Sequence, residues 1–127
     1  MIGTIGMIGA GGALGAVSRY GVNLLAVRIM GHGFPWGTLA VNVAGSFVMG
    51  ALIALFAHLW QPPEAVRVFF VTGFLGAFTT FSTFSLDTVA LYERGELMIS
   101  GLYVLASVIL SIVALVAAML LVRGITS

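Results

Sequence analysis

The chain has 127 residues, 61% hydrophobic and only 7% charged, with a formal net charge of +1 and a mean hydropathy of +1.19. A soluble domain carries about 25% charged residues, so this composition excludes one and reads as an integral membrane protein. With no cysteine, disulfide frameworks and thiolate metal sites are ruled out. Zinc, P-loop, dinucleotide and nucleophile motifs are also missing, which leaves no ground for an enzyme.

The first apolar segment covers residues 2–30. Its opening, MIGTIGMIGAGG, lacks the basic n-region of a cleaved signal peptide. Gly11 and Gly15 form a small-xxx-small pair that lets another helix approach closely, and Arg19 and Arg28 follow in the second half. After Gly31-His32-Gly33, the triplet Phe34-Pro35-Trp36 reads as an interfacial aromatic anchor, with proline in the first turn of the next helix. The second span, 35–60, carries no ionisable residue until His58. Thr38, Asn42, Gly45, Ser46 and Met49 recur at three- and four-residue spacing and place a polar, small stripe on one face. An asparagine in lipid acts as interhelical glue or as part of a site, and Asn42 admits both readings.

The third segment, 63–94, opens after Gln61-Pro62-Pro63 with Glu64 at a helix N-terminus. Its middle, TGFLGAFTTFSTFS (72–85), does not read as a plain membrane helix. Gly73 and Gly76 precede a run of β-branched and hydroxyl residues, which weaken a helix and offer bonds to freed backbone groups. An interruption is therefore expected over 73–80, with a second half-helix beginning near Phe81. In lipid such a break is tolerated only where protein or a water-filled cavity satisfies it, and broken helices at the midplane are where ions bind. The charged turn Glu93-Arg94-Gly95-Glu96 leads to a fourth span, 97–122. There Tyr103, Ser107 and Ser111 lie four apart on one face. Each hydroxyl could bond back to its own helix; three in line favour a shared polar track.

Four spans put both termini on one side. That side, with the Pro62-Pro63 loop, carries Arg67 and Arg123, and the other carries Arg28 and Arg94. Two against two is no orientation bias, and four helices leave little room for an aqueous path within one subunit. The expectation is a dual-topology, antiparallel homodimer, which would recreate the inverted repeats of larger transporters.

No acid or base lies near the middle of the last three spans. Asp87 is the nearest; it reads as a partner for an arginine such as Arg19 or, as the alternative, as part of an ion path. Hydroxyls, one amide and aromatic rings remain. Phe81 and Phe84 are three apart, and ring edges carry the positive part of the aromatic quadrupole. Ser82, Thr83, Ser85, Asn42, Ser107 and Ser111 can donate hydrogen bonds, and a half-helix N-terminus adds free N–H groups. Unwound carbonyls around Gly76 and Thr79 can hold a hard monovalent cation.

GAFTTFSTFS (76–85) preceded by Thr72-Gly73, GTLAVNVAG (37–45) and Gly15-x-x-x-Arg19 together resemble the Fluc/CrcB fluoride channels over essentially the full chain. The resemblance implies an antiparallel dual-topology homodimer in a bacterial inner membrane that passively exports fluoride and confers fluoride resistance. It implies two pores, each lined by both subunits, and a central structural sodium ion. By position, Phe81 and Phe84 would face fluoride and Asn42 would donate to it. Thr38, Tyr103, Ser107 and Ser111 would line a polar track with Ser82 and Thr83 nearby, and Arg19 would stand near a pore entrance. Gly76 and Thr79 would give the sodium its backbone carbonyls. Ala77 departs from the family pattern, which commonly has a second glycine there. The alternatives are a small multidrug-type dual-topology transporter, which needs an acid in its first span that is missing here, and a structural subunit with no transport role.

Overall fold

The computed structural model describes residues 1–126, and all its regular structure is helical. Helix α1 (Ile2–Met30) ends where Gly31 takes φ 81 and returns its N–H to Val27 O. Helix α2 (Trp36–His58) starts directly after Pro35, which has a fixed φ and no donor to satisfy. Pro63 does the same for α3 (Glu64–Arg67), its carbonyl accepting from Val66 and Arg67 N–H at 3.1 Å each. From there the chain widens into a π-helix over Val68–Leu75, then tightens into one short turn, α4 (Gly76–Phe78). Thr79 and Thr80 are extended. Helix α5 (Phe81–Glu93) follows, and a turn through Gly95 at φ 81 leads into α6 (Leu97–Thr126).

Among the described residues, three stretches are long and apolar enough to cross a membrane: Trp36–His58, Glu64–Glu93 taken through its extended residues, and Leu97–Ile125. Helix α1 has the length, at 29 residues, or about 43 Å of rise against a hydrocarbon core of about 30 Å. Its glycines and Arg19 lower its hydropathy.

The expected unwinding over 73–80 is confined to two residues. Gly73 and Leu75 are buried inside the π-helix, and backbone bonding holds until Thr79 N–H meets Leu75 O at 3.1 Å. Glycine alone does not end a helix whose neighbours pack against it. The two β-branched threonines in sequence, with side-chain partners waiting, do.

Packing pairs α2 with α6 and α1 with the π-helix. The second contact depends on Gly11 and Gly15, where a Cβ would collide with the backbone carbonyls of Phe69 and Phe74. Few side chains are fully enclosed; Val41, Leu91 and Tyr103 are the largest. Leu, Ile and Val along α1 and α6 face outward, as expected of helices surrounded by lipid or by another copy.

Candidate functional site

The extended pair Thr79-Thr80 interrupts the helical bonding inside a membrane-length span, where each backbone group left unmet costs several kcal/mol. Side chains from three elements meet them. Thr79 Oγ1 donates to Leu75 O at 2.9 Å. Arg19 Nε, from α1, donates to Ala77 O at 3.0 Å. Asn42, from α2, takes Thr80 N–H on Oδ1 at 2.8 Å and returns Nδ2–H to Thr80 O at 3.0 Å. Thr80 Oγ1 caps α5 by accepting from Thr83 N at 3.2 Å, the usual work of a threonine at that position. Gly45 lets α2 come this close, because a Cβ there would strike the Thr79 methyl group.

The interruption takes the helical donors from the carbonyls of Gly76, Ala77, Phe78 and Thr79, of which Ala77 O is met by Arg19. In a continuous helix Gly76 O would accept from Thr80 N and Thr79 O from Thr83 N. Both donors are turned elsewhere, to Asn42 and to Thr80 Oγ1. Gly76 is exposed on the subunit surface.

Beside the interruption lies a cavity of about 380 Å³, walled by Asn42, Ser46, Phe81, Phe84, Ser107 and Ser111 among others. No acidic or basic side chain lines it among the described residues. Ser107 is 6% exposed, and its Oγ has no hydrogen-bond partner among them. It therefore does not bond back to its own helix. The two rings differ sharply in setting. Phe84 is 8% exposed and packs on Tyr103 at 5.2 Å, whereas Phe81 is 77% exposed although its centroid is only 5.5 Å from that of Phe84.

A second cavity, of about 290 Å³, opens toward the α1–α2 loop and includes Asn23, His32, Thr38, Thr83, Asp87 and Arg94 in its wall. Tyr103 stands at the boundary: fully buried, against Phe84 on one side, its hydroxyl donating to Asp87 Oδ2 at 3.1 Å on the other. The sequence-predicted residues thus divide. Asn42, Thr79, Phe81, Phe84, Ser107 and Ser111 gather at the first cavity, and Thr38 and Thr83 at the second. Ser82 lines neither and lies 3.4 Å from Thr80 Oγ1.

Asp87 does not pair with Arg19. Its carboxylate takes the Tyr103 hydroxyl, while Arg19 is turned to the Ala77 carbonyl at a helix C-terminus, where a cation is favoured. Sequence reasoning also missed Thr80 as the partner of Asn42, and Asn23, whose amide oxygen presses on Gly37. A Thr immediately before a helical run is a cap signal; nothing local signals the Asn42 partnership.

A family model described as "CrcB-like protein, Camphor Resistance (CrcB)" matches residues 6–119. The chain belongs to the CrcB family. Among CrcB relatives, a protein of Nitrobacter hamburgensis named "Fluoride-specific ion channel FluC 1" is 50% identical over 116 residues, covering 91% of this chain and 92% of the relative. Proteins named "Fluoride-specific ion channel FluC" from Rhizobium johnstonii and Agrobacterium fabrum are 49% and 50% identical, over 93% and 94% of this chain and 94% and 96% of the relatives. The CrcB family is one of ion channels, not of enzymes, and this member is a multi-pass bacterial membrane protein.

Proposed function

We infer that this CrcB chain is one subunit of a fluoride channel, and that fluoride passes through the uncharged cavity beside the interrupted third span. The observation that carries the reading is the Ser107 hydroxyl: buried, without a hydrogen-bond partner among the described residues, and set in a wall with Ser111, Asn42, Phe81 and Phe84. A buried polar group without a partner is costly, and a passing anion that accepts its proton removes that cost. Fluoride must exchange its water for donors. Ser107, Ser111, the second N–H of Asn42, the free N–H groups opening α5 and the ring edges supply them. None carries a full charge, so the ion is held weakly enough to leave. An organic-cation carrier would need a membrane acid here, and the cavity has none among the described residues.

The functional unit is an antiparallel dual-topology homodimer with two pores. Phe81 supports this, since a large ring 77% exposed beside a polar cavity is a wall awaiting its other half. Export follows from energetics. Hydrogen fluoride enters as a neutral acid and dissociates in the less acidic cytoplasm. An inside-negative potential then drives the anion out, by about 2.3 kcal/mol per charge per 100 mV.

A sodium ion fits the donor set of the interruption. The Gly76 and Thr79 carbonyls, both without their helical donors, would hold it together with the same pair from the second copy. Chain packing does not demand a glycine at 76, because a Cβ there would rest 3.8 Å from Val71 O. The ion would supply a fixed positive charge between the two subunits.

Fluoride efflux from proteoliposomes, with chloride as control, tests the channel: fast, selective fluoride flux without a proton gradient is expected. A folded dimer that passes neither ion would leave only a structural role. Because the chain has no cysteine, a single cysteine at Gly33 tests topology. Labelling of about half the population from each side of the membrane is expected for dual insertion, and labelling from one side alone would refute it.

A further inference from the structure

We propose that Asn42 is a positioning residue that opens the cation site by intercepting the donor that would close its Gly76 carbonyl. The proposal rests on the reading that the Gly76 and Thr79 carbonyls hold sodium. In an unbroken helix Thr80 N–H would return to Gly76 O. Here it lies 2.8 Å from Asn42 Oδ1, and Asn42 Nδ2 lies 3.0 Å from Thr80 O. Acceptor and donor of one side-chain amide thus engage the N–H and C=O of one residue. This is the two-bond exchange of a hydrogen-bonded antiparallel pair, and it holds Thr80 extended at φ −154, ψ 122. Among neutral side chains of this length only an asparagine offers both functions. Most of the amide is therefore committed to backbone, and a single N–H remains for an ion in the pore. The primary task of Asn42 is to keep the Gly76 carbonyl open, and contact with fluoride comes second.

The two tasks separate by substitution. Asn42→Asp keeps an acceptor for Thr80 N–H. Asn42→Ala removes it and lets Thr80 N–H fall back onto Gly76 O. Each variant and the wild type would be reconstituted in bilayers and titrated with sodium in place of N-methylglucamine. Two readouts independent of flux apply: the ¹³C resonance of the Gly76 carbonyl, and the thermal midpoint of the dimer. We expect a sodium response in the wild type and a half-response concentration in Asn42→Asp at or below that of the wild type. In Asn42→Ala the half-response is expected to rise about tenfold or more, the usual scale for losing an outer-shell partner. A wild type indifferent to sodium would overturn the sodium reading and this inference with it. A responsive wild type with an unchanged Asn42→Ala, or with Asn42→Asp as weak as the alanine variant, would overturn the inference alone. If Asn42→Ala does not assemble, the aspartate variant decides: a half-response above that of the wild type refutes the role.

Discussion

The two cavities described above are linked through Tyr103, which packs on Phe84 in the wall of the first and donates to Asp87 in the wall of the second, but they follow opposite chemical rules. The one beside the interruption holds hydroxyls, an amide and rings, and among the described residues no charge. The one beneath the α1–α2 loop includes Asp87, Arg94 and His32. The difference follows depth. Near the loop a charge keeps its water; in the span it must be paired or pay several kcal/mol of desolvation. A conduit for a small anion would gain from the uncharged wall of the first cavity, since neutral donors replace hydration without trapping the ion.

The contrast can be broken most severely at the rings. Phe81→Ile is expected to abolish fluoride efflux while leaving the subunit fold intact, because the ring is exposed in the subunit; any loss of stability falls on the dimer. Phe84→Ile should abolish efflux too, but also destabilise the fold by about 1–3 kcal/mol, since it belongs to a buried cluster with Leu91 and Tyr103. Wild-type flux in either folded variant would remove that ring from the path. Ser107→Ala comes next: flux should fall about tenfold, whereas stability should hold or rise by about 1 kcal/mol, because an unmet buried hydroxyl is deleted. A loss of stability would mean the hydroxyl has a structural partner after all. Asp87→Asn sharpens the boundary. The Tyr103 hydroxyl keeps an oxygen to donate to, so efflux should drop by less than about tenfold, the worth of one hydrogen bond. A loss as complete as that of Phe81→Ile would join both cavities into one path. Smallest is Arg94→Ala. Its ion pair with Glu96 is 50% and 40% exposed, and together with its bond to Gly33 O it should contribute at most about 1 kcal/mol, read as a small shift in thermal midpoint.

Much of this was legible in the residues. Helices α1 and α2 begin and end within two residues of the expected spans, because glycine and proline punctuate both. The last helix runs four residues past the expected 122, to Thr126: a basic residue in a final turn, here Arg123, supports a helix rather than stopping it. The threonine run marked where the third span changes. Its width did not show, because whether Gly73 bends or packs depends on α1 lying against it. The π-helix left no trace, since VFFVTGFL is apolar at almost every position and carries no period to read. The partner of Asp87 was left open, because opposite charges are the obvious match in a sequence, whereas the hydroxyl that reaches it comes from Tyr103, sixteen positions away on another helix.

The π-helix also constrains how this gene can change length. Each residue added to or removed from a helix rotates everything after it by about 100°, and a π-helix is the form a helix takes when it accommodates a surplus residue. Deleting one residue within Val68–Leu75 would therefore not shorten the span harmlessly. It would return the stretch toward α-helical winding and swing Gly76, Thr79 and Phe81 away from Arg19 and Asn42. Insertions and deletions should be absent from this stretch in working channels, even where side chains are free to vary.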